Sequence, residues 1–557
     1  MENVFSPKLF SVLHKGYSKK MFQADLMSGI IVGIVALPLA IAFAVASGVS
    51  PEKGLVTAII AGFLISFFGG SRVQIGGPTG AFIVVVAGIV HQYGMQGLLI
   101  STVLAGILLV LFGLLKFGSV IKFIPHPLVV GFTSGIALTI FTTQIKDGFG
   151  LSISGELPAD FIGKWGAYFA NFNSVNWIAF SITLATIFIS VFFKKITTKI
   201  PGSFVAIIVT TVSVAVFDLP VSTIETVFGE IPSSFSVEVP DIDWSLIGNY
   251  IQPAVTIAIL GAIESLLSAV VADGMIGGNH RSNTELIAQG IANIASPIFG
   301  GIPATGAIAR TATNVKNGGR TPIAGIVHAV TLLLIMLFFG RFAKLIPMSC
   351  LAGVLMVVAY NMSEWRSFVS ITKGSKYDTV ILIATFLLTV LVDLTVAIEV
   401  GMVMACLLFM QRMSKQCQVL TVTEGTDPLE NYSFLPKGID VYEISGPFFF
   451  GAAKKYREIL RGLALSHQVK VLVIRMRHVP FMDSTGINNF SAVIDEIHAV
   501  NVTIVLSGVN ESVRSELERS GLADKLDKLN ICSNFDIAKE RAKEVLEEIE
   551  AKEKKTA

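Results

Sequence analysis

Up to about Met413 the chain alternates long apolar runs with short breaks that hold most of its charges. A helix needs about 20 mostly apolar residues to cross a hydrocarbon layer. Runs at 26–47, 54–70, 97–115, 120–143, 175–193, 203–218, 251–272, 322–340, 346–361, 377–393 and 394–411 read as spans. Shorter runs broken by Gly or Pro at 78–91, 284–300 and 304–316 bring the predicted number to fourteen. Beyond about Thr423 the pattern changes. The stretch "VKVLVIRMRHVPFMDSTGINNFSAVIDEI" reads as a buried strand, a loop and a helix starting at Asp483–Ser484, and "VTIVLSGVNESVRSELERSGL" repeats strand then helix. That alternation predicts an α/β domain of about 120 residues. The expected organisation is a membrane domain over 1–415, a linker over 416–434 and a second domain over 435–550.

Composition agrees with a chain solvated mainly by lipid. Of its 557 residues 52% are hydrophobic and 15% charged, with mean hydropathy +0.70; soluble domains carry about 25% charged residues. The net charge of +2 and the lack of a dense basic tract give no reason to expect a nucleic-acid partner. The first residues, "MENVFSPKLFSVLHKGYSKKMF", lack an apolar core with a small-residue cleavage site, so no signal peptide is expected. Cys350, Cys406, Cys417 and Cys532 have no ligand spacing, so neither a metal site nor a disulfide framework is expected. No P-loop, cofactor motif or nucleophile–base spacing suggests an enzyme.

Lys and Arg placement orients the spans. With Lys8, Lys15, Lys19 and Lys20 in the cytoplasm, Arg72, Lys116 with Lys122, Lys194 with Lys195 and Lys199, Arg281, Lys316 with Arg320, Lys373 with Lys376, and Arg412 with Lys415 also fall inside. The acidic segment 219–249, with Glu225, Glu230, Glu238, Asp241 and Asp243, falls outside, as do Arg341 and Lys344 against the rule. The second domain comes out cytoplasmic.

Two motifs recur. "GGPTGAF" begins at Gly76 and "GGIPATGAI" at Gly300; "KFIPHPLVVGFTSGIAL" begins at Lys122 and "KLIPMSCLAGVLMVVA" at Lys344. The offsets of 224 and 222 residues imply a duplicated unit. Seven predicted spans separate each element from its copy, and an odd number inverts the second copy. Matched Gly/Pro interruptions in inverted halves are the sequence sign of a transporter site. Gly and Pro delay the helix, so an extended strand reaches mid-membrane and Thr79 and Thr305 fall in the first turn of a half-helix. Each N-terminus offers unpaired N–H groups and partial positive charge. Gly77, Thr79 and Gly80 from one end and Ala304, Thr305, Gly306 and Ala307 from the other would then cradle a small anion. Backbone N–H groups accept sulfate, bicarbonate or a carboxylate alike.

Glu264 lies near the middle of the apolar run "AVTIAILGAIESLLSAVVADG". A carboxylate there costs about 2.5–3.5 kcal/mol on insertion scales and marks function by default. It could take a coupling proton, or hold a cation such as Na+ with Ser268 one turn on. Arg310 could draw anions in or pair internally. Phe43, beyond the Pro38 interruption, could wall the site. Asp273 and Glu399 sit nearer span ends as caps or interfacial groups; His126 and His328 could shuttle protons or simply pack. A coupled carrier needs a group like Glu264, whereas an uncoupled, channel-like conductor does not.

"ALPLAIAFAVASG", "GGPTGAF", "LGAIESLLSAVVADG" and "GGIPATGAIARTATN" together resemble the sulfate permease (SulP) family, bacterial relatives of the solute-carrier-26 anion transporters. The resemblance implies an all-α polytopic membrane domain of fourteen spans in two inverted seven-helix repeats, divided into core and gate, with anion bound between the third and tenth spans. Within the family, "LGAIESLLSAVV", "IKDGFGL" and "YNMSEW" are most similar to the proton-coupled C4-dicarboxylate branch; the sodium-coupled bicarbonate branch carries Asp where this chain has Glu264. Glu264 matches the position assigned to coupling in proton-coupled members, and Arg310 the basic position beside the anion. Leu39 stands where many members carry Gln, which removes one expected side-chain bond to substrate. "MDSTG" resembles the STAS domain, an α/β module shared with anti-sigma-factor antagonists, in which Ser484 occupies the phosphorylated position. Asp483 and Ser484 equally suit a helix N-cap. A regulatory or dimer-supporting role is expected for this domain, hence a homodimer, in a bacterial cell membrane.

Overall fold

The computed structural model describes all residues except 1–4, 120–123, 154, 156, 159, 197–199, 230–246, 422–434, 467–468 and 557. Lys122, Lys199, Glu230, Glu238, Asp241, Asp243 and most of the expected linker therefore lie outside the described residues. The chain forms two compact units, Met1–Val403 and Met404–Ala557.

The first unit is helical: α1 (Lys8–His14), α2 (Lys19–Ala46), α3 (Pro51–Phe68), α4 (Phe82–Leu114), α5 (His126–Thr143), α6 (Ile145–Phe149), α7 (Phe161–Ala170), α8 (Trp177–Phe192), α9 (Gly202–Phe217), α10 (Ile224–Phe228), α11 (Ile247–Ile276), α12 (Ser282–Ile298), α13 (Ile308–Lys316), α14 (Ile323–Ala343), α15 (Met348–Met362), α16 (Trp365–Thr372), α17 (Lys376–Leu391) and α18 (Leu394–Gln416), which runs on into the second unit. Two-residue strands β1 (Gly76–Gly77) and β2 (Thr305–Gly306) precede α4 and α13. Among the described residues, six helical segments are long and apolar enough to cross a membrane: 19–46, 51–68, 82–114, 126–149, 247–276 and 394–416. The runs 78–91 and 97–115 are joined in α4, which breaks at Gly94 (φ 67°, ψ −174°), a conformation glycine supplies without a Cβ penalty.

These helices form two bundles. α2, α3, α4, α11, α12, α13 and α14 pack mainly on one another, as do α5, α6, α8, α9, α15, α16 and α17. In hydrocarbon, close packing replaces the hydrophobic drive, so small residues mark the tightest crossings. A Cβ on Gly106 would lie 2.7 Å from the Gly290 carbonyl oxygen, and one on Gly290 would lie 2.5 Å from that of Gly106, locking α4 to α12. The second pair of similar motifs shares its local geometry. Pro125 and Pro347, 222 residues apart, hold the N-cap positions of α5 and α15 with nearly the same angles (φ −69°, ψ 137° and φ −68°, ψ 137°). Lys344, placed outside against the charge rule, bonds to Glu225 at 2.8 Å.

The second unit holds a five-stranded sheet in the order β3 (Gln418–Thr421), β4 (Ile439–Ser445), β5 (Val471–His478), β6 (Thr503–Ser507), β7 (Ile531–Cys532), antiparallel between β3 and β4 and parallel elsewhere. Its helices are α19 (Ala453–Ser466), α20 (Ser484–His498), α21 (Glu511–Arg519), α22 (Leu522–Leu526) and α23 (Phe535–Thr556). β5 serves both faces by its two-residue period: Leu472, Ile474 and Met476 pack with α19 and α20, while Val471 and Val473 pack with α23. Part of the expected linker is strand, because Gln418–Thr421 covers the edge of β4.

Candidate functional site

The two Gly-Gly motifs meet. β1 pairs antiparallel with β2, Gly76 opposite Gly306 and Gly77 opposite Thr305. The chains cross in opposite directions and enter α4 and α13 from opposite sides. Directly opposed residues in such a pair are about 4.5–5.5 Å apart, so Thr79, two residues past Gly77, lies within about 15 Å of Thr305. The Ala307 N–H donates to the Ile75 carbonyl at 2.9 Å. Ladder alternation then makes Gly77 and Thr305 the pair that exchange both bonds.

Extended backbone at membrane depth survives only where protein satisfies it. Here two short helices do so with side chains. From α13, Asn314 donates to the Val73 carbonyl at 2.8 Å, Thr311 accepts from the Ile75 N–H at 3.0 Å, and Arg310 donates to the carbonyls of Gly76 (3.4 Å) and Pro78. From α12, Glu285 accepts from the N–H groups of Gly70 (2.8 Å) and Ser71 (3.0 Å). Asn293 brackets Ala304, donating to its carbonyl at 2.8 Å and accepting from its N–H at 2.9 Å, and Ser296 donates to the Ile302 carbonyl at 3.0 Å. Gly77 is required twice over. Its φ is +142°, and a Cβ there would lie 2.5 Å from the Arg310 guanidinium.

The open chemistry lies on the first copy. Thr79 heads the turn into α4: its carbonyl accepts from the Phe82 N–H at 3.2 Å, and that of Gly80 from the Ile83 N–H at 3.1 Å. The Thr79 hydroxyl donates to the Glu264 carboxylate at 2.9 Å. The Arg310 guanidinium is near enough to interact electrostatically with that carboxylate. Phe43 comes against Gly80, its ring edge 3.6 Å from where a Cβ would stand. Glu264, Thr79, Gly80 and Phe43 thus share one spot at the entrance to a helix, with Arg310 beside them.

Several expectations need correction. Thr305 is in the strand, three residues before α13, because pairing continues through Ala307; its buried hydroxyl donates to the Gly261 carbonyl at 2.8 Å. The N–H groups of Ala304, Thr305, Ala307 and Gly77 are all used within the crossing or by Asn293, so they hold the crossing together rather than face an anion. Gly306 lies under the Gln74 amide, whose nitrogen would be 1.5 Å from a Cβ. Ser268 donates to Thr311 at 3.2 Å, which ties α11 to α13. Arg310 clamps the first copy's carbonyls from the second. Asp273 accepts from the His280 backbone and meets its ring, each at 2.7 Å. In the second unit Asp483, not Ser484, caps α20, accepting from the Gly486 N–H at 2.7 Å, and Ser484 is exposed.

Sequence reasoning missed Glu285, Asn293, Ser296, Thr311 and Asn314. The signal was present in "SNTELIAQGIANIASP": Glu285, Gln289, Asn293 and Ser296 are spaced by four, four and three, a polar stripe on an otherwise apolar helix.

Comparison with known proteins agrees with this architecture. The profile of the sulfate permease family matches residues 22–385, and that of the STAS domain residues 436–538. A candidate sulfate transporter of Bacillus subtilis (strain 168), YvdB, is 41% identical over 532 residues, 95% of this chain and 99% of that protein. The bicarbonate transporter BicA of Picosynechococcus sp. (strain ATCC 27264 / PCC 7002 / PR-6) is 31% identical over 518 residues, 89% and 90% of the two chains. The solved transmembrane domain of a cyanobacterial BicA superposes with TM-score 0.61 at 29% identity, over 70% of this chain and 98% of that one. The inward-facing murine solute carrier 26 family member A9 anion transporter superposes with TM-score 0.87 at 18% identity, over 96% and 94%, a likeness of fold. These relatives are transporters rather than enzymes, and with matches that run through both of its units the chain belongs to the sulfate permease family.

Proposed function

We propose that this protein is a proton-coupled secondary transporter of a small anion, with the anion bound at the first turn of α4 and the proton on Glu264. The observation that carries the reading is the Thr79–Glu264 hydrogen bond at that helix entrance. As a carboxylate, Glu264 accepts the hydrogen bond of the Thr79 hydroxyl and sets a negative charge beside the N–H groups an anion would use. Two unit charges about 5 Å apart repel by about 3 kcal/mol at an effective dielectric constant of about 20. Protonation removes that repulsion and frees the hydroxyl to donate to the anion. Proton and anion therefore favour each other's binding, which is the linkage a symporter needs. Sulfate, bicarbonate and C4-dicarboxylates all suit such a donor set; the names of YvdB and BicA support the first two.

Alternating access would come from one bundle moving against the other, with fourteen spans in two inverted seven-helix repeats, domain limits near 415 and 435, and the N-terminus and STAS domain in the cytoplasm of a bacterial cell. The exposed Ser484 remains a candidate regulatory position, and a homodimer the expected assembly. Sodium coupling, with Glu264 supplying the charge and Ser268 a hydroxyl oxygen beside the cation, is the second reading. Uptake of sulfate, bicarbonate, succinate and fumarate into proteoliposomes, with and without a pH gradient and with and without sodium, tests the reading. Accumulation that follows the pH gradient supports it. Uptake that needs sodium, or that equilibrates without accumulation under any gradient, contradicts it.

A further inference from the structure

We infer that Met362, at the end of α15, is the residue of the second bundle that closes over the proposed anion site and sets which anions fit. This rests on the site assignment above and adds a wall to it from the opposite bundle. The thioether sulfur lies 2.8 Å from where a Cβ of Gly80 would stand and its methyl 3.5 Å away, on the same spot that the Phe43 ring approaches to 3.6 Å. Phe43 belongs to α2 in the first bundle and Met362 to α15 in the second. An anion at the Thr79–Gly80 turn would therefore have a polar floor, made by the Thr79 hydroxyl and the start of α4, and two apolar walls.

The backbone behind Met362 is fixed. Ser134 on α5 donates to the Ser363 carbonyl at 2.5 Å, Ser363 donates to the Tyr360 carbonyl at 2.8 Å, and the chain turns away at Glu364 with φ +42°. The side chain is not fixed in the same way: methionine has three rotatable bonds and a soft, polarisable sulfur that adapts to what it packs against. A half-buried methionine on a pinned turn, seated on a glycine at a helix entrance, makes an adjustable stop. Its reach sets the free height above Gly80, and any sliding of one bundle past the other must carry it off that glycine. "YNMSEW" holds this residue, and nothing in the crossing itself explains why the segment approaches the site.

The test uses the full-length protein in proteoliposomes. Uptake of whichever of bicarbonate, sulfate and succinate the wild type carries is measured, with the other two as competitors, for wild type, Met362→Ala and Met362→Leu. Thermal unfolding of each variant controls for folding. Shortening the wall should shift the ratio of inhibition constants between the smallest and largest anion by about five-fold or more, in the range of one lost apolar contact. The leucine variant, of similar volume, should stay within about two-fold of wild type. Gly80→Ala should weaken uptake, and adding Met362→Ala to it should restore part of the loss. Unchanged ratios in a well-folded Met362→Ala protein that still transports overturn the role of Met362 alone. A wild type that carries and binds none of the three anions overturns the site assignment and this inference together.

Discussion

In the first motif copy, "GGPTGAF", the strand is Gly76–Gly77 and stops at Pro78, which has no N–H to continue a ladder. Thr79 is thereby released into the turn before α4, where its hydroxyl reaches Glu264. In the second, "GGIPATGAI", the proline stands one residue earlier relative to the Thr-Gly, so Thr305–Gly306 itself becomes the strand and Thr305 is held by the Gly261 carbonyl. Both threonines thus reach α11, one at a carboxylate and one at a backbone oxygen one turn away. A one-residue shift in proline separates two similar sequences into what the proposed function makes a working end and a supporting end. The supporting end lends its cation across the crossing, since Arg310 binds carbonyls of the first copy.

Breaking that cross-brace should have the largest effect. Arg310→Ala leaves the Gly76 and Pro78 carbonyls without donors at depth, at about 1–3 kcal/mol for each buried unsatisfied group. Uptake should vanish and the unfolding temperature should fall clearly, with Arg310→Lys recovering part of the stability. Unchanged stability in Arg310→Ala would show that the brace is incidental. On the supporting side, Asn293→Ala removes both bonds to Ala304, and a loss of about 2–4 kcal/mol is expected on the same principle. Denaturation of the purified protein reads this directly, and coupling in whatever protein remains folded should keep its pH profile.

The two threonines sharpen the contrast. Thr305→Val should cost about 1–2 kcal/mol, the value of a buried hydroxyl bond, and leave the pH dependence of uptake in place. Thr79→Val should cost less stability and shift that pH dependence, because it alone touches Glu264. If both variants shift the profile alike, the copies are functionally equivalent. The smallest effect on the site is expected from removing the STAS unit after Lys415. Anion binding should persist, with changes confined to rate or assembly, as checked by binding and uptake on the truncated protein. Loss of binding in a folded truncation would mean that the STAS unit shapes the site.

The contrast also marks where sequence was informative. The recurring motifs were readable from their matched spacing, and the Gly/Pro interruptions and Glu264 because neither suits a lipid-exposed helix. The meeting of the two motifs was expected from the inversion that the sequence implies, and β1 does pair with β2. Which backbone groups would be free did not follow, because that depends on ladder register, and register turned on whether proline stood one or two residues before the threonine. The polar stripe on α12 was readable in spacing yet overlooked, since its run passed as a short span. Met362 was not legible at all: it lies 282 residues from Gly80 in sequence, and only the packing of the two bundles brings them together.

The measurement that bears most directly on the working end is anion affinity as a function of pH for wild type and Glu264→Gln, paired with uptake under a proton gradient. The amide keeps the shape and a partner for Thr79 but carries no titrating proton. Wild-type affinity should weaken as pH rises, because the carboxylate form repels the anion. In Glu264→Gln it should be flat with pH and close to the low-pH wild-type value, with exchange retained and gradient-driven accumulation lost. A variant that still accumulates anion on a proton gradient, or whose affinity still follows pH as in the wild type, would contradict the assignment of the coupling proton to Glu264.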